Sequence, residues 1–304
     1  MEVITKLKVP KTFEEQIEIL KSRNMEIEDE ERAIEVLKRT NYYRLTAYAL
    51  QFKCKYTNKY NGITFDKMCK LYEFDMNLRH LILEALEHIE ISLRTYIAYN
   101  LSIKYGAEAH INEAIFKRSD LHRGYYDEKG KYHNGLLDEI ENEKRKKKDE
   151  LFIKHHIKTY NGKFPIWAVV EIFSFGMLSK MYKNLVVAEQ KEISKKCFST
   201  NNQLLESWLD TLSYIRNTCA HYGRLYHKKL PKIPKVHSRY NKYKDHITTN
   251  KLFVVILAIK ELLIPIDKYE SFKMNLINLV RDYINVISLE SLGFIDCWEE
   301  VLEL

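Results

Sequence analysis

The run RNTCAH places Arg216, Asn217 and His221 within six residues of one another. Histidine titrates near neutrality and can take or give a proton, while arginine stays charged and can hold two phosphate oxygens at once. Metal-free cleavage of RNA asks for those abilities: a base for the ribose 2′-hydroxyl, an acid for the departing 5′-oxygen, and positive charge beside the pentavalent phosphate. The products would be a 2′,3′-cyclic phosphate and a 5′-hydroxyl. Asn217 adds an amide that can orient His221 or a substrate oxygen whatever the pH. On the residues alone a second reading stays open, in which Arg216 pairs with Glu171 or Asp210 and His221 caps carbonyls at a helix end.

The element that must position the trio is a helix. Asn201 and Asn202 are cap residues, Trp208, Leu209, Leu212 and Ile215 recur on one side, and Gly223 is a stop. A helix turns by about 100° per residue, so Asn217 and His221 lie one above the other while Arg216 is rotated from His221 by about 140°. Three arrangements would reconcile them: an arginine reaching round, a last turn loosened before Gly223, or Arg and His converging from two copies of the chain.

Nine Gly and five Pro in 304 residues argue for helices rather than many strands or disorder. Hydrophobic residues at 45% and charged residues at 30% are those of an ordinary folded protein, and no apolar run reaches bilayer length. The start MEVITKLKVPKTFEEQ lacks a secretory pattern, so a cytoplasmic location is expected. Five scattered cysteines with no CxxC spacing predict buried free thiols, with neither zinc nor a disulfide framework, and no cofactor is expected. A net charge of +7 permits a polyanionic partner without demanding one.

Along the chain, two short amphipathic segments over residues 11–39 precede an aromatic helix at 41–52. The stretch Phe65 to Tyr105 has neither Pro nor Gly, and Leu78, Leu81, Ile82, Ala85, Ile89, Leu93 and Tyr96 fall along one stripe. Residues 106–135 read as a long polar insertion. A charged helix over 136–160, a nearly buried helix over 165–182 with Glu171 as its acid, the motif helix, and helices at 251–264 and 269–286 follow. The expected organisation is an N-terminal helical extension at 1–62, a helical core at 63–264 and C-terminal helices at 265–304. His155 and His156, being neighbours, make a poor metal pair.

RNxxxH at a helix end is similar to the signature of HEPN ribonucleases. Four further segments resemble the bacterial abortive-infection (Abi) proteins of the AbiD/AbiF type, in that family's order: NYYRLTAY from Asn41, LYEFDMNLRHLILEALEHIEISLRT from Leu71, PIWAVVEIFSFGMLSKMY from Pro165 and IRNTCAHYGRLY from Ile215. The resemblance implies an all-α, HEPN-type helical bundle with added N- and C-terminal helices. It also implies a metal-independent endoribonuclease of anti-phage defence, with Arg216, Asn217 and His221 catalytic. Glu87, Glu90, Arg94 and Glu171 are the expected supporting residues, a lone acid such as Glu171 needing a partner if buried. One motif per chain implies a homodimer, and a regulatory non-coding RNA joins the substrate RNA among the expected partners. Substrate contacts are expected from Arg44, Tyr222, Arg224, Tyr226, Lys228, Lys229, Lys232 and Lys235, with Tyr240 and Tyr243 interleaved in the basic stretch. The alternative is a helical protein that binds RNA or senses phage without cutting.

Overall fold

Thr12 opens the first helix with a reciprocal cap, its hydroxyl accepting from the Glu15 amide at 3.2 Å while the Glu15 carboxylate accepts from the Thr12 amide at 2.8 Å. Asp29 and Asn41 cap the next two helices from one side only, each accepting a backbone N–H two or three residues ahead. The computed structural model describes Leu7 and residues 9–304. The helices are α1 (Phe13–Ser22), α2 (Glu30–Arg39), α3 (Tyr42–Ala49), α4 (Phe65–Tyr105), α5 (Ser119–Arg123), α6 (Leu136–Lys146), α7 (Leu151–Tyr160) and α8 (Ile166–Val169). They continue with α9 (Phe175–Asn184), α10 (Val187–Phe198), α11 (Asn202–Ala220), α12 (Leu252–Leu263), α13 (Tyr269–Asp282), α14 (Leu289–Leu292) and α15 (Trp298–Glu303). The sheet content of the described residues is one small antiparallel ribbon, β1 (Tyr125–Tyr126) with β2 (Tyr132–His133). The fold is all-α. Among the described residues no helix is long and apolar enough to cross a membrane.

Two compact units divide the chain, one formed by residues up to Leu78 together with Leu279–Ser288, the other by Arg79–Asn278 and Leu289–Leu304. In the first, Tyr48 donates to the buried Asp75 carboxylate at 2.6 Å, and Phe74 packs on Tyr283 with ring centroids 5.6 Å apart. The second holds Glu90, Arg94, Arg216, Asn217 and His221. Its core is α11 packed against α9, α10 and α12, with Trp208, Leu209, Leu212 and Ile215 all buried, as their spacing predicts.

Three expectations about elements need correction. The charged helix over 136–160 is two helices, α6 and α7, broken at residues 147–150. The segment 165–182 is also interrupted: α8 passes into a 3₁₀ turn at Val170–Ile172, Phe173 is extended, and Ser174 caps α9 by accepting from the Met177 amide at 3.2 Å. A serine that can satisfy the first amides of a new helix competes with continuation of the old one. On α4, Tyr96 lies at the edge of the stripe and is exposed, its place in the core being taken by Leu86 and Ile97. Of the five free thiols, Cys197 and Cys219 are buried, whereas Cys54, Cys69 and Cys297 are half-buried.

The C-terminal residues are fastened to the second unit by a buried lysine. Lys260 Nζ donates to the carbonyls of Val301 and Leu302 at 3.0 and 2.8 Å, and Tyr269 donates to the Leu302 carbonyl at 2.6 Å. Burial pulls the Lys260 ammonium down to about 8, against the attraction of Glu261. A base whose folded pKa lies below its unfolded value binds its proton less well in the native state, so its share of stability increases as pH rises from about 8 towards the ordinary lysine value. Wild type should therefore gain thermal stability relative to Lys260→Met over that window, and melts at a series of pH values would show it. Parallel curves for the two proteins would remove Lys260 as the source.

Candidate active site

The end of α11 sets the position of His221. The helix closes on a complete Schellman motif: Tyr222 donates to the Cys219 carbonyl at 3.0 Å and Gly223 donates to the Thr218 carbonyl at 2.7 Å. The left-handed residue of that motif is Tyr222, with φ of 58°, rather than the expected glycine. Gly223 serves another need, because a Cβ there would sit 2.8 Å from Thr218 Cγ2 and 2.9 Å from its carbonyl oxygen. A bulky residue held at positive φ costs on the order of 1 kcal/mol and persists where the surroundings fix it. His221, the residue before it, is the C-cap, and its backbone amide donates to the Asn217 carbonyl at 3.0 Å. Its side chain is exposed. Among the described residues the imidazole has no hydrogen-bond partner, which leaves both nitrogens open to a substrate.

Arg216 points to a different neighbour from the one its helix position suggests. Its Nη1 donates to Asn217 Oδ1 at 3.3 Å, and its Nε lies 3.8 Å from Glu90 Oε2. The exposed amide of Asn217 thus accepts from the arginine through its oxygen. Within a single chain the arginine reaches Asn217 and Glu90.

Glu90, on α4, is buried at 7% exposure and is the hub of the cluster. Its other oxygen accepts from Arg94 Nη2 at 2.5 Å, and the same Nη2 donates to the Phe173 carbonyl at 2.6 Å. Phe173 can accept because the chain breaks there between the 3₁₀ turn and α9, leaving its carbonyl outside any helix ladder. Burial pushes the Glu90 carboxyl above the ordinary glutamate range; the charges of Arg94 and Arg216 oppose this, and Glu87 adds to it. Arg94 Nε is itself buried without a hydrogen-bond partner. Two guanidiniums converging on one carboxylate can receive a phosphodiester, since each arginine keeps donors that Glu90 does not use.

Of the supporting residues, Glu90 and Arg94 join the cluster. Glu87 is exposed and acts on Glu90 through space. Glu171 is removed: it sits in the 3₁₀ turn, faces solvent, and does not pair with Arg216 or Arg94. The Phe173 carbonyl, which sequence reasoning missed, carries no side-chain signal; a helix break at the FS dipeptide was the available clue.

The substrate-contact set divides in the same way. Tyr222 is 67% exposed beside His221, whereas Tyr226 is 1% exposed and belongs to the core, as do Tyr240 and Tyr243. Tyr240 donates to Glu261 Oε1 at 2.6 Å, so the aromatic residues of the basic stretch anchor it and leave its lysines outward. Arg224 is half-buried. Lys228 lies over the Tyr214 ring at 5.2 Å, and Lys232 pairs with Asp210 at 2.6 Å. Burial would raise the Tyr214 hydroxyl, but hydrogen bonds from Lys228 and Thr218 outweigh it and leave it below the ordinary tyrosine value. Lys229 and Lys235 are exposed, the backbone of Lys235 being held by Ser207 Oγ at 2.9 Å and by Trp208 Nε1 at 2.7 Å. Arg44 is exposed on α3, in the other unit.

A family model described as Abi-like protein matches residues 35–227, well over half of the chain. The chain belongs to the Abi-like protein family. Membership suggests a part in abortive-infection defence. The matched region contains the whole Glu90, Arg94, Arg216, Asn217 and His221 cluster and ends at His227, so the lysines from Lys228 onward lie beyond it. None of the curated proteins and none of the solved structures compared matches this Abi-like chain.

Proposed function

We propose that this Abi-like protein is an endoribonuclease of the AbiD/AbiF type and of HEPN character, acting in anti-phage defence by cutting RNA to 2′,3′-cyclic phosphate and 5′-hydroxyl ends. The observation that carries the reading is an exposed imidazole, without a hydrogen-bond partner among the described residues, at a fixed helix end five residues after Arg216, which is held by the buried Glu90. In the reaction His221 takes the proton of the ribose 2′-hydroxyl, whose oxygen attacks phosphorus as the bond to the 5′-oxygen breaks. Arg216, and Arg94 behind it, balance the charge that builds on the phosphoryl oxygens. The proton for the departing 5′-oxygen comes in this reading from His221 of a second copy, so the working form is a homodimer. Ile91, Tyr99 and Ile103, at 50%, 67% and 72% exposure on one face of α4, support a surface for that copy next to Glu90. Lys229 and Lys235 extend the cationic surface along the RNA backbone.

The test is incubation of the purified protein with end-labelled single-stranded RNA in the presence of a chelator, with the fragment ends mapped. Cyclic-phosphate ends support the reading. Intact RNA that nevertheless stays bound moves the protein to an RNA-holding role, and fragments with 3′-hydroxyl ends assign a different chemistry.

A further inference from the structure

Away from the His221 cluster, α7, the turn after it and the start of α8 enclose a groove of about 520 Å³ whose walls include His155, His156, Tyr160, Lys163, Phe164 and Trp167. The size is that of a small-ligand site. Its floor is already stacked: the His156 ring lies on Phe164 with centroids 4.8 Å apart and planes 15° from parallel, and His156 is fixed by a 2.8 Å bond between its Nδ1 and the Phe152 carbonyl. Tyr160 meets both histidines at about the same distance, 5.5 Å from His155 and 5.4 Å from His156. Asn161 and Gly162, both at positive φ, turn the chain sharply between Tyr160 and Lys163. A hydrogen bond donated by the Ile166 backbone amide to the Ala107 carbonyl at 2.7 Å then pins the start of α8.

Two large aromatic residues on this rim are left bare. Trp167 is 55% exposed and Tyr160 is 52% exposed. Two bare aromatic residues lining one groove offer a planar ligand a stacking surface. The charge of the rim says which. From Leu151 to Trp167 the chain carries Lys154, Lys158 and Lys163, two histidines and no acid; Lys154 pairs with Asp149 at 3.1 Å, and the carboxylate lining the groove is that of Glu108. Lys163 is held only loosely, by Glu108 at 3.6 Å. Flat aromatic faces edged by spread cations match an unpaired nucleobase with its chain of phosphates, the combination by which single strands are bound without sequence reading.

We infer that this groove is a second RNA-contact site, in which an unpaired base of a single-stranded segment stacks on Trp167 and Tyr160 while Lys158 and Lys163 meet the adjoining phosphates. The inference rests on the proposal that the protein acts on RNA, and gives that substrate a holding point apart from the cleavage cluster. The substrate is then gripped at a stacking groove and cut elsewhere, which favours RNA with unpaired stretches.

Trp208 and Trp298 are buried, so of the three tryptophans Trp167 is the one whose emission a ligand in the groove would change. The full-length His221→Ala protein is titrated with a short oligoadenylate, following tryptophan emission and the anisotropy of the labelled strand. Saturable quenching is expected, with binding weaker by at least ~5-fold in the Trp167→Ala version and similarly in Tyr160→Ala; both positions are exposed, so folding is kept. Cleavage by wild type together with unchanged emission and undiminished binding by Trp167→Ala overturns the groove while leaving the nuclease reading intact. Quenching by adenosine monophosphate at the same affinity as the oligonucleotide overturns an RNA occupant in favour of a free nucleotide.

Discussion

Replacing His221 with alanine is expected to lower the rate of RNA cleavage by about 10²- to 10⁴-fold, the range for loss of a general acid or base. The fold should be unchanged, because the side chain is exposed and makes no hydrogen bond or ion pair among the described residues; exposed positions of that kind alter stability by roughly 0.5 kcal/mol or less. Affinity for RNA should persist, since Arg216, Arg94 and the outward lysines remain. Single-turnover cleavage beside an RNA-binding isotherm and a thermal melt distinguishes the cases. Loss of binding in step with loss of cutting would make His221 a contact residue and not a proton carrier. An active His221→Ala protein would end the mechanism as drawn. Arg216→Lys is the companion variant: it keeps the charge but loses the planar fork that meets Asn217 and Glu90, so it should remain folded and slow.

The second large effect belongs to Glu90, where two substitutions should part company. Glu90→Ala removes the carboxylate on which Arg94 and Arg216 converge and leaves Arg94, whose Nε already lacks a partner, largely uncompensated. Breaking such a pair from one side costs about 3 kcal/mol. Glu90→Gln keeps the volume and one acceptor for Arg94, and should stay within about 1 kcal/mol of wild type, since uncharged replacements of buried ions are often tolerated. Both should cut RNA at least about tenfold more slowly, because Arg216 loses its fixed partner.

The pH dependence of stability separates the charge of Glu90 from its shape. Burial raises the Glu90 carboxyl, so the native state retains a proton that the unfolded chain has already lost. An acid raised in this way favours the folded state fully below its unfolded pKa, and that contribution falls away as pH rises through the folded value. Across the window just above the ordinary glutamate pKa, Glu90→Gln should gain stability relative to wild type with rising pH. Denaturant melts at acid and neutral pH measure the difference. A constant gap between the two proteins would mean that the two arginines neutralise the burial completely.

The Trp208, Leu209, Leu212 and Ile215 stripe was legible in the sequence because burial of one helix face leaves a period that local spacing records. α4 was legible because 41 residues without Pro or Gly leave no local reason to stop. Cap residues marked several helix starts for the same local reason, and Asn201 does accept from the Leu204 amide at 2.9 Å. The motif itself could be found from one-dimensional order, and with it the helix end that carries the candidate chemistry.

What one-dimensional order could not supply was the choice among partners far apart in the chain. Sequence pattern favoured Glu171, a lone acid on an apolar segment, over Glu87 and Glu90 as the partner of the arginines. The break at Phe173 and Ser174 turned Glu171 outward and offered the Phe173 carbonyl to Arg94 instead. Tyr226, Tyr240 and Tyr243 sit among lysines in the sequence and read as surface, yet packing against elements beyond their own segment buries them. Tyr160 and Trp167 are the reverse, large aromatic rings left bare by a turn whose direction depends on the left-handed Asn161 and Gly162. Periodicity and capping are local, so the sequence by itself determined the all-α class, the long α4 and the motif helix, but not the breaks inside 136–160 and 165–182. The acid that holds Arg216, and which aromatic rings remain free for a ligand, depend on contacts between segments distant in the chain, and those the tertiary structure alone decided.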